Sequence, residues 1–238
     1  MWLIPAVAAV VAAVFAVLLF RQFAARRGQA QLLWAIAMAM FAAASAALAM
    51  GVASGWTKTL FAVYWAFGAV LNVPFLAGGE LVLLFRRPWV RWAVWLVLIF
   101  SVAFTFAVLR QAAVDAAALA EQLPAGREVF GLGTQAQRLP QYFSYPAYFI
   151  LVAGAVWSAW KMRGRPELRD RFVGTLLIAV GATVVAAGAA FAAEGQLMGF
   201  VLTLLVGIAT MFWGFLRASR PVVVPEVQPA VQAAGQAG

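Results

Sequence analysis

Leu60-Phe-Ala-Val-Tyr-Trp-Ala-Phe-Gly-Ala-Val-Leu-Asn-Val-Pro-Phe-Leu-Ala-Gly-Gly-Glu-Leu-Val-Leu-Leu-Phe85, followed at once by Arg86-Arg87, is the stretch whose reading decides the fold. It holds one ionisable residue, Glu80, in 26 positions, and it ends on two cations. A bilayer core about 30 Å thick needs roughly 20 apolar residues at about 1.5 Å of rise each, so this run predicts a transmembrane helix. Helix is the only economical form, because hydrocarbon offers backbone amides no partners outside the segment. The run also lacks the short alternating segments of a barrel.

Six further runs read in the same way: Trp2–Phe20, Leu32–Met50, Trp92–Leu109, Phe143–Trp160, Phe172–Ala193 and Gln196–Leu216. The expected fold is an all-α bundle of seven transmembrane helices. Composition agrees: 66% of the 238 residues are hydrophobic and 11% charged, against roughly 25% charged in soluble domains.

Charge sets the expected orientation. Arg21, Arg26 and Arg27 follow the first run, and Arg86, Arg87 and Arg91 follow the third. Lys161, Arg163, Arg165, Arg169 and Arg171 follow the fifth, and Arg217 and Arg220 the seventh. The other side holds only Lys58, Arg110, Arg127 and Arg138. Positive-inside bias then predicts an N-terminus outside and a C-terminus in the cytoplasm of a bacterial inner membrane. Ala6-Val7-Ala8 resembles a signal-peptide cleavage site, but the positive charge follows the apolar run instead of preceding it, so the first helix is expected to be retained. The net charge of +9 lies in short juxtamembrane loops, where it suits anionic headgroups, so membrane lipids are the expected partner and nucleic acid is not. Tryptophans 2, 56, 34, 89, 92, 160 and 213, with Tyr142, Tyr145 and Tyr148, are expected to form interfacial belts.

Outside the membrane, residues 110–142 form the one long connection. Ala112–Leu123 is Ala-rich and unbroken, which predicts helix, and Gly131-Leu132-Gly133 predicts irregular chain. The loop reads either as a cap over the helix ends or as a lid or partner-docking surface. Residues 221–238, with prolines every fourth position, are expected to be a disordered cytoplasmic tail.

Gly174, Gly181 and Gly188 recur every seven residues, which keeps them on one stripe of the sixth helix. The seventh carries Gly207 with Gly214 beside Thr203 with Thr210, and only Glu194-Gly195 separates the two runs. Small faces let helices approach closely in lipid, so a tight antiparallel hairpin is expected there.

Chemistry concentrates on the third helix. Pro74 has no amide hydrogen for the carbonyl of Val70, which predicts a kink. Asn72 and Glu80 are the candidate ligand- or proton-binding residues. Two readings stay open: a polar cavity in which Glu80 binds a cation or carries a proton, or a carboxylate that leans to the cytoplasmic interface or pairs with an arginine. No cysteine or histidine occurs, so disulfides, thiolate clusters and imidazole-held metals are excluded, and neither metal nor cofactor is expected. The seventh helix has no lysine to anchor a retinal Schiff base.

Tyr64-Trp65-Ala66-Phe67-Gly68, Leu71-Asn72-Val73-Pro74-Phe75-Leu76-Ala77, Glu128-Val129-Phe130-Gly131 and Trp157-Ser158-Ala159-Trp160 together carry a resemblance. The chain resembles uncharacterised multi-pass membrane proteins of high-GC Gram-positive bacteria, over most of the membrane region but not the tail. That group has no known activity, so the resemblance assigns no functional residue. The expectation is a non-enzymatic accessory or scaffold subunit, with a possible membrane-protein partner, or a sensor of a lipid or small molecule. The alternative is a small transporter or proton-coupled permease using Glu80.

Overall fold

The computed structural model describes residues 2–85, 87–162 and 169–218. The expected tail, 221–238, lies outside the described residues. The long helices are α1 (Leu3–Arg26), α2 (Gln29–Ser54), α3 (Lys58–Tyr64) and α4 (Asn72–Leu84), then α5 (Pro88–Gln111). A short α6 (Gly126–Val129) precedes α7 (Gln135–Met162), α8 (Arg169–Ala193) and α9 (Leu197–Ala218). A π-helical segment, Trp65–Leu71, joins α3 to α4 in one rod from Lys58 to Leu84. No strand occurs among the described residues.

Six helices are long and apolar enough to cross a membrane: Leu3–Ala25, Gln29–Ser54, Lys58–Leu84, Pro88–Gln111, Phe172–Ala193 and Leu197–Arg217. The 28-residue α7 has ample length but is less apolar: Gln135, Gln137, Arg138 and Gln141 lie in its first two turns, and Ser144, Tyr145, Pro146 and Tyr148 interrupt the run that follows.

α1, α2, the α3–α4 rod, α7, α8 and α9 pack in that order into a closed ring, since α9 also packs on α1 and α8 on α7. Small residues allow the close approaches. Ala8, Ala12 and Ala16 recur every fourth position on α1 and are buried with Leu19, on a helix that packs against α2 and α9. α2 is buried on most sides, and its Ala-rich composition matches helices packed on both flanks. Phe15 of α1 meets Phe212 and Phe215 of α9 at ring-centroid distances of 5.5 and 4.7 Å. α5 stands outside the ring, against α4, α7 and the π segment, and buries only one stripe: Val90, Val94, Leu98, Ser101, Thr105 and Leu109.

α8 and α9 make the most extensive pairing in the molecule. A Cβ at Gly181 would lie 2.6 Å from the Gly207 carbonyl oxygen, and one at Gly214 would lie 2.7 Å from that of Gly174. Gly188 abuts Thr203. Arg217 Nε donates to Asp170 Oδ1 at 2.9 Å, tying the end of α9 to the start of α8.

The long connection differs from its sequence reading. Ala112–Leu123 is not a regular helix: α5 stops at Gln111, and only a 3₁₀ turn at Ala118–Ala120 remains. Tertiary contacts override alanine's helix propensity there. The Asp115 amide donates to the Val129 carbonyl at 2.9 Å, the Asp115 carboxylate accepts from the Ala117 amide, and Leu123 is buried. At the other end α7 begins at Gln135, eight residues before the expected Phe143, so Pro140 lies within the helix and not in a loop. Gly131 and Gly133 take the left-handed conformation, at φ 83° and 80°, and make the turn into α7. The connection caps the Lys58 end of the rod. Trp56 Nε1 donates to the Gln122 carbonyl at 3.2 Å, and Gly126 packs on Trp65 with no room for a Cβ.

Two of the tryptophans expected in the interfacial belts are engaged within the protein. Trp56 is buried under the cap, and the half-buried Trp34 donates its indole N–H to the Leu76 carbonyl at 3.1 Å. Trp2, Trp89, Trp92, Trp160 and Trp213 are exposed on the helical surface.

Candidate functional site

The rod and its neighbours form the region with the most unusual backbone. The sequence places the break at Pro74. The structure puts a seven-residue π segment immediately before it. A proline cannot donate to the carbonyl four residues back, and its ring crowds that carbonyl. Widening the preceding turns relieves the crowding, and π segments inside helices are frequent at functional sites.

The carbonyls opened by this break are met from α7. Ser144 Oγ donates to Ala69 O at 2.7 Å and to Val70 O at 2.8 Å, and Val70 is the residue four before Pro74. The relation runs in the other direction as well. Pro140 has no N–H for the carbonyl of Ala136, and Trp65 Nε1 donates to that oxygen at 3.0 Å. Each helix has a proline that frees a carbonyl, and each supplies the side chain that satisfies the other's. The contacts also order the two helices in register. Trp65 meets Ala136, Val70 meets Ser144, and Glu80 meets Ser158, so α7 runs alongside the rod in the same direction for most of its length.

Asn72 and Glu80 are both buried but do not share a site. Asn72 Nδ2 donates to the Ala37 carbonyl of α2 at 2.7 Å. Glu80 turns to α7, where Ser158 Oγ donates to its Oε1 at 3.2 Å. Gly154 makes room for it: a Cβ there would lie 2.6 Å from Glu80 Cγ. Eight residues, about 12 Å of rise, separate the two along α4. Among the described residues the ion pairs are Arg127–Glu128 and Arg217–Asp170, so Glu80 has no arginine partner there. No cluster of three acids that could hold a metal occurs among the described residues. Glu80→Gln is expected to change stability by less than about 0.5 kcal/mol, because an amide oxygen accepts from Ser158 equally well. Ser158→Ala is expected to cost about 0.6 kcal/mol, the mean for hydrogen bonds between membrane helices. Thermal unfolding in detergent checks both, and a loss above 2 kcal/mol for Glu80→Gln would show that the carboxylate itself is required.

A third side of α4 faces a groove of about 470 Å³ between α4, α5 and α7. Pro74, Gly78 and Leu81 form one wall, Val94 and Leu98 a second, and Phe143 and Ala147 a third. The lining is almost wholly apolar. Ser101 lies on it, but its hydroxyl already donates to the Leu98 carbonyl at 2.8 Å. Neither Asn72 nor Glu80 lines this space. The groove arises because α5 stands outside the ring and touches it through a single stripe. Its volume is within the roughly 300–1,000 Å³ of small-molecule sites.

The chain matches no family model, no curated protein and no solved structure, so its function is read from this geometry.

Proposed function

We propose that the chain is a non-enzymatic sensor or accessory subunit of a bacterial plasma membrane that takes an apolar molecule from the bilayer into the groove between α4, α5 and α7. The groove itself carries this reading: it is a lateral space among helices of membrane-spanning length, lined by hydrocarbon. A polar substrate would find no partner on that lining, whereas an apolar one would lose nothing on leaving lipid.

The reading includes seven crossings, with α7 as the fifth, the N-terminus outside and the C-terminus in the cytoplasm. Its support is the register of α7 against the rod: a helix hydrogen-bonded to a spanning rod from Ala136 to Ser158 has the same depth to cover. The split of basic residues between the two sides gives the orientation. Reporter fusions after Arg27, Arg91 and Lys161 are expected to read cytoplasmic, and fusions within 112–134 external. Opposite readings at any two sites would overturn the topology.

Less supports a permease built on Glu80. Its carboxylate and the Asn72 amide are engaged with different helices, and the groove runs past both.

A further inference from the structure

We propose that the occupant of the groove is an anionic phospholipid, with one acyl chain between α4, α5 and α7 and its phosphate held by Arg87 and Arg91 at the mouth. The inference rests on the reading of the groove as an apolar binding site and names the ligand class for it.

Three observations point to this class. The first is the asymmetry of charge. At one end the lining consists of Phe85, Trp89 and Val90. Arg87 lies between the first two in sequence, and Arg91 follows the third. Both arginines are exposed, and neither belongs to an ion pair among the described residues. No cation among the described residues lines either end; at the other end the lining is Ser101, Tyr142 and Phe143, and the nearest cation in sequence, Arg138, stands a turn before Tyr142 with its guanidinium beside Gly133. A molecule with one anionic end and one hydrocarbon end therefore has a single favourable orientation.

The second is length. The α5 lining runs from Trp89 to Ser101, which is 12 residue-to-residue steps, or about 18 Å of rise. Half of a bilayer core is about 15 Å, the depth of one leaflet. The groove thus matches an acyl chain that starts at the headgroup level and ends near the midplane.

The third is the belt position of Trp89, two-thirds exposed at the mouth. Its amphipathic ring belongs at the headgroup level, which places Arg87 and Arg91 where phosphates lie. Arginine's planar fork binds phosphate oxygens in pairs, so two adjacent guanidiniums suit a phosphodiester with no compensating choline or ethanolamine charge.

The test uses the full chain in detergent with phosphatidylglycerol and phosphatidylcholine of identical acyl chains, read by native mass spectrometry. Phosphatidylglycerol is expected to be retained with roughly thirtyfold preference, from about 1 kcal/mol for each of the two juxtamembrane arginines. Arg87→Gln with Arg91→Gln should bring the two lipids within about twofold. Arg110→Gln with Arg138→Gln removes the same charge at the opposite end and should leave the preference intact. Equal retention by the unaltered chain would overturn the headgroup assignment, and this comparison needs no variant to fold. Phosphatidylglycerol and phosphatidylcholine, each with a photoreactive diazirine at its chain terminus, test the groove separately. Adducts are expected around Val97–Ser101 and Tyr142–Phe143. Adducts at those sites from both lipids alike would leave the groove standing as an apolar site and sink only the anionic assignment. Adducts spread evenly over the exposed faces of α1 and α8 would end the groove reading itself.

Discussion

Gly181→Leu is expected to lower the unfolding temperature in detergent by roughly 5–10 °C, the largest effect of any single substitution considered. The cause is geometric. A Cβ at position 181 would lie 2.6 Å from the Gly207 carbonyl oxygen and 2.8 Å from the Met211 amide nitrogen. Both are backbone atoms of α9, so no side chain can swing aside, and the whole helix has to move. Overpacking of this kind costs typically 1–3 kcal/mol, and the backbone contact places the change at the upper end. A few degrees per kcal/mol for a chain of this length gives the stated shift. Ala187→Leu on the exposed side of α8 supplies the control, since it adds the same bulk where no helix is met. Equal tolerance at 181 and 187 would show that α8 and α9 do not depend on close approach.

Ser144→Ala combined with Trp65→Phe is expected to cost about 2–3 kcal/mol, by removing both side chains that satisfy proline-freed carbonyls. Each bond alone is worth about 0.6 kcal/mol on average between membrane helices and up to about 1.7, and a carbonyl left without its donor adds a desolvation term of about 1 kcal/mol. A companion variant separates hydrogen bonding from packing. Pro74→Ala restores an amide four residues after Val70, so Ser144→Ala should be better tolerated in that background. If Ser144→Ala costs the same with and without Pro74, the serine acts through shape and not through the carbonyl.

Much of the helical framework was legible in sequence because hydrocarbon leaves so few options for backbone. Runs such as Leu32–Met50 declare themselves by length and the absence of charge. The glycine spacing on α8 was equally visible, whereas the α9 backbone atoms it meets had to come from the structure. What sequence missed lies where tertiary partners override local preference. Pro140-Gln141 looks like loop, yet α7 runs through it because Trp65 replaces the amide that proline lacks. Ala112–Leu123 looks like helix, yet Asp115 and Leu123 gain more by binding the cap. The partner of Val70 could be anticipated as a need but not as Ser144, which lies 74 positions away. Asn72 and Glu80 were legible as buried polar residues on one helix. That they serve α2 and α7 respectively depends on the order of helices round the ring. The groove had no sequence signal at all, since it is made by the displacement of α5 and not by any motif.

The π segment has a consequence for phase. A turn closed by i→i+5 bonds holds one residue more than an α turn, and one residue corresponds to about 100° of rotation. Trp65–Leu71 thus acts as a stored offset between two half-rods. The N-terminal half aims Phe61 at Phe130 of the cap, and the C-terminal half presents Glu80 to α7 and Leu81 to the groove. A helical wheel drawn through Leu60–Phe85 as one uniform α-helix mixes these faces. Excising a single residue from the segment would be no local trim. It would turn the C-terminal half as a unit, carrying the acid off its serine and the groove wall away from α5 in the same motion.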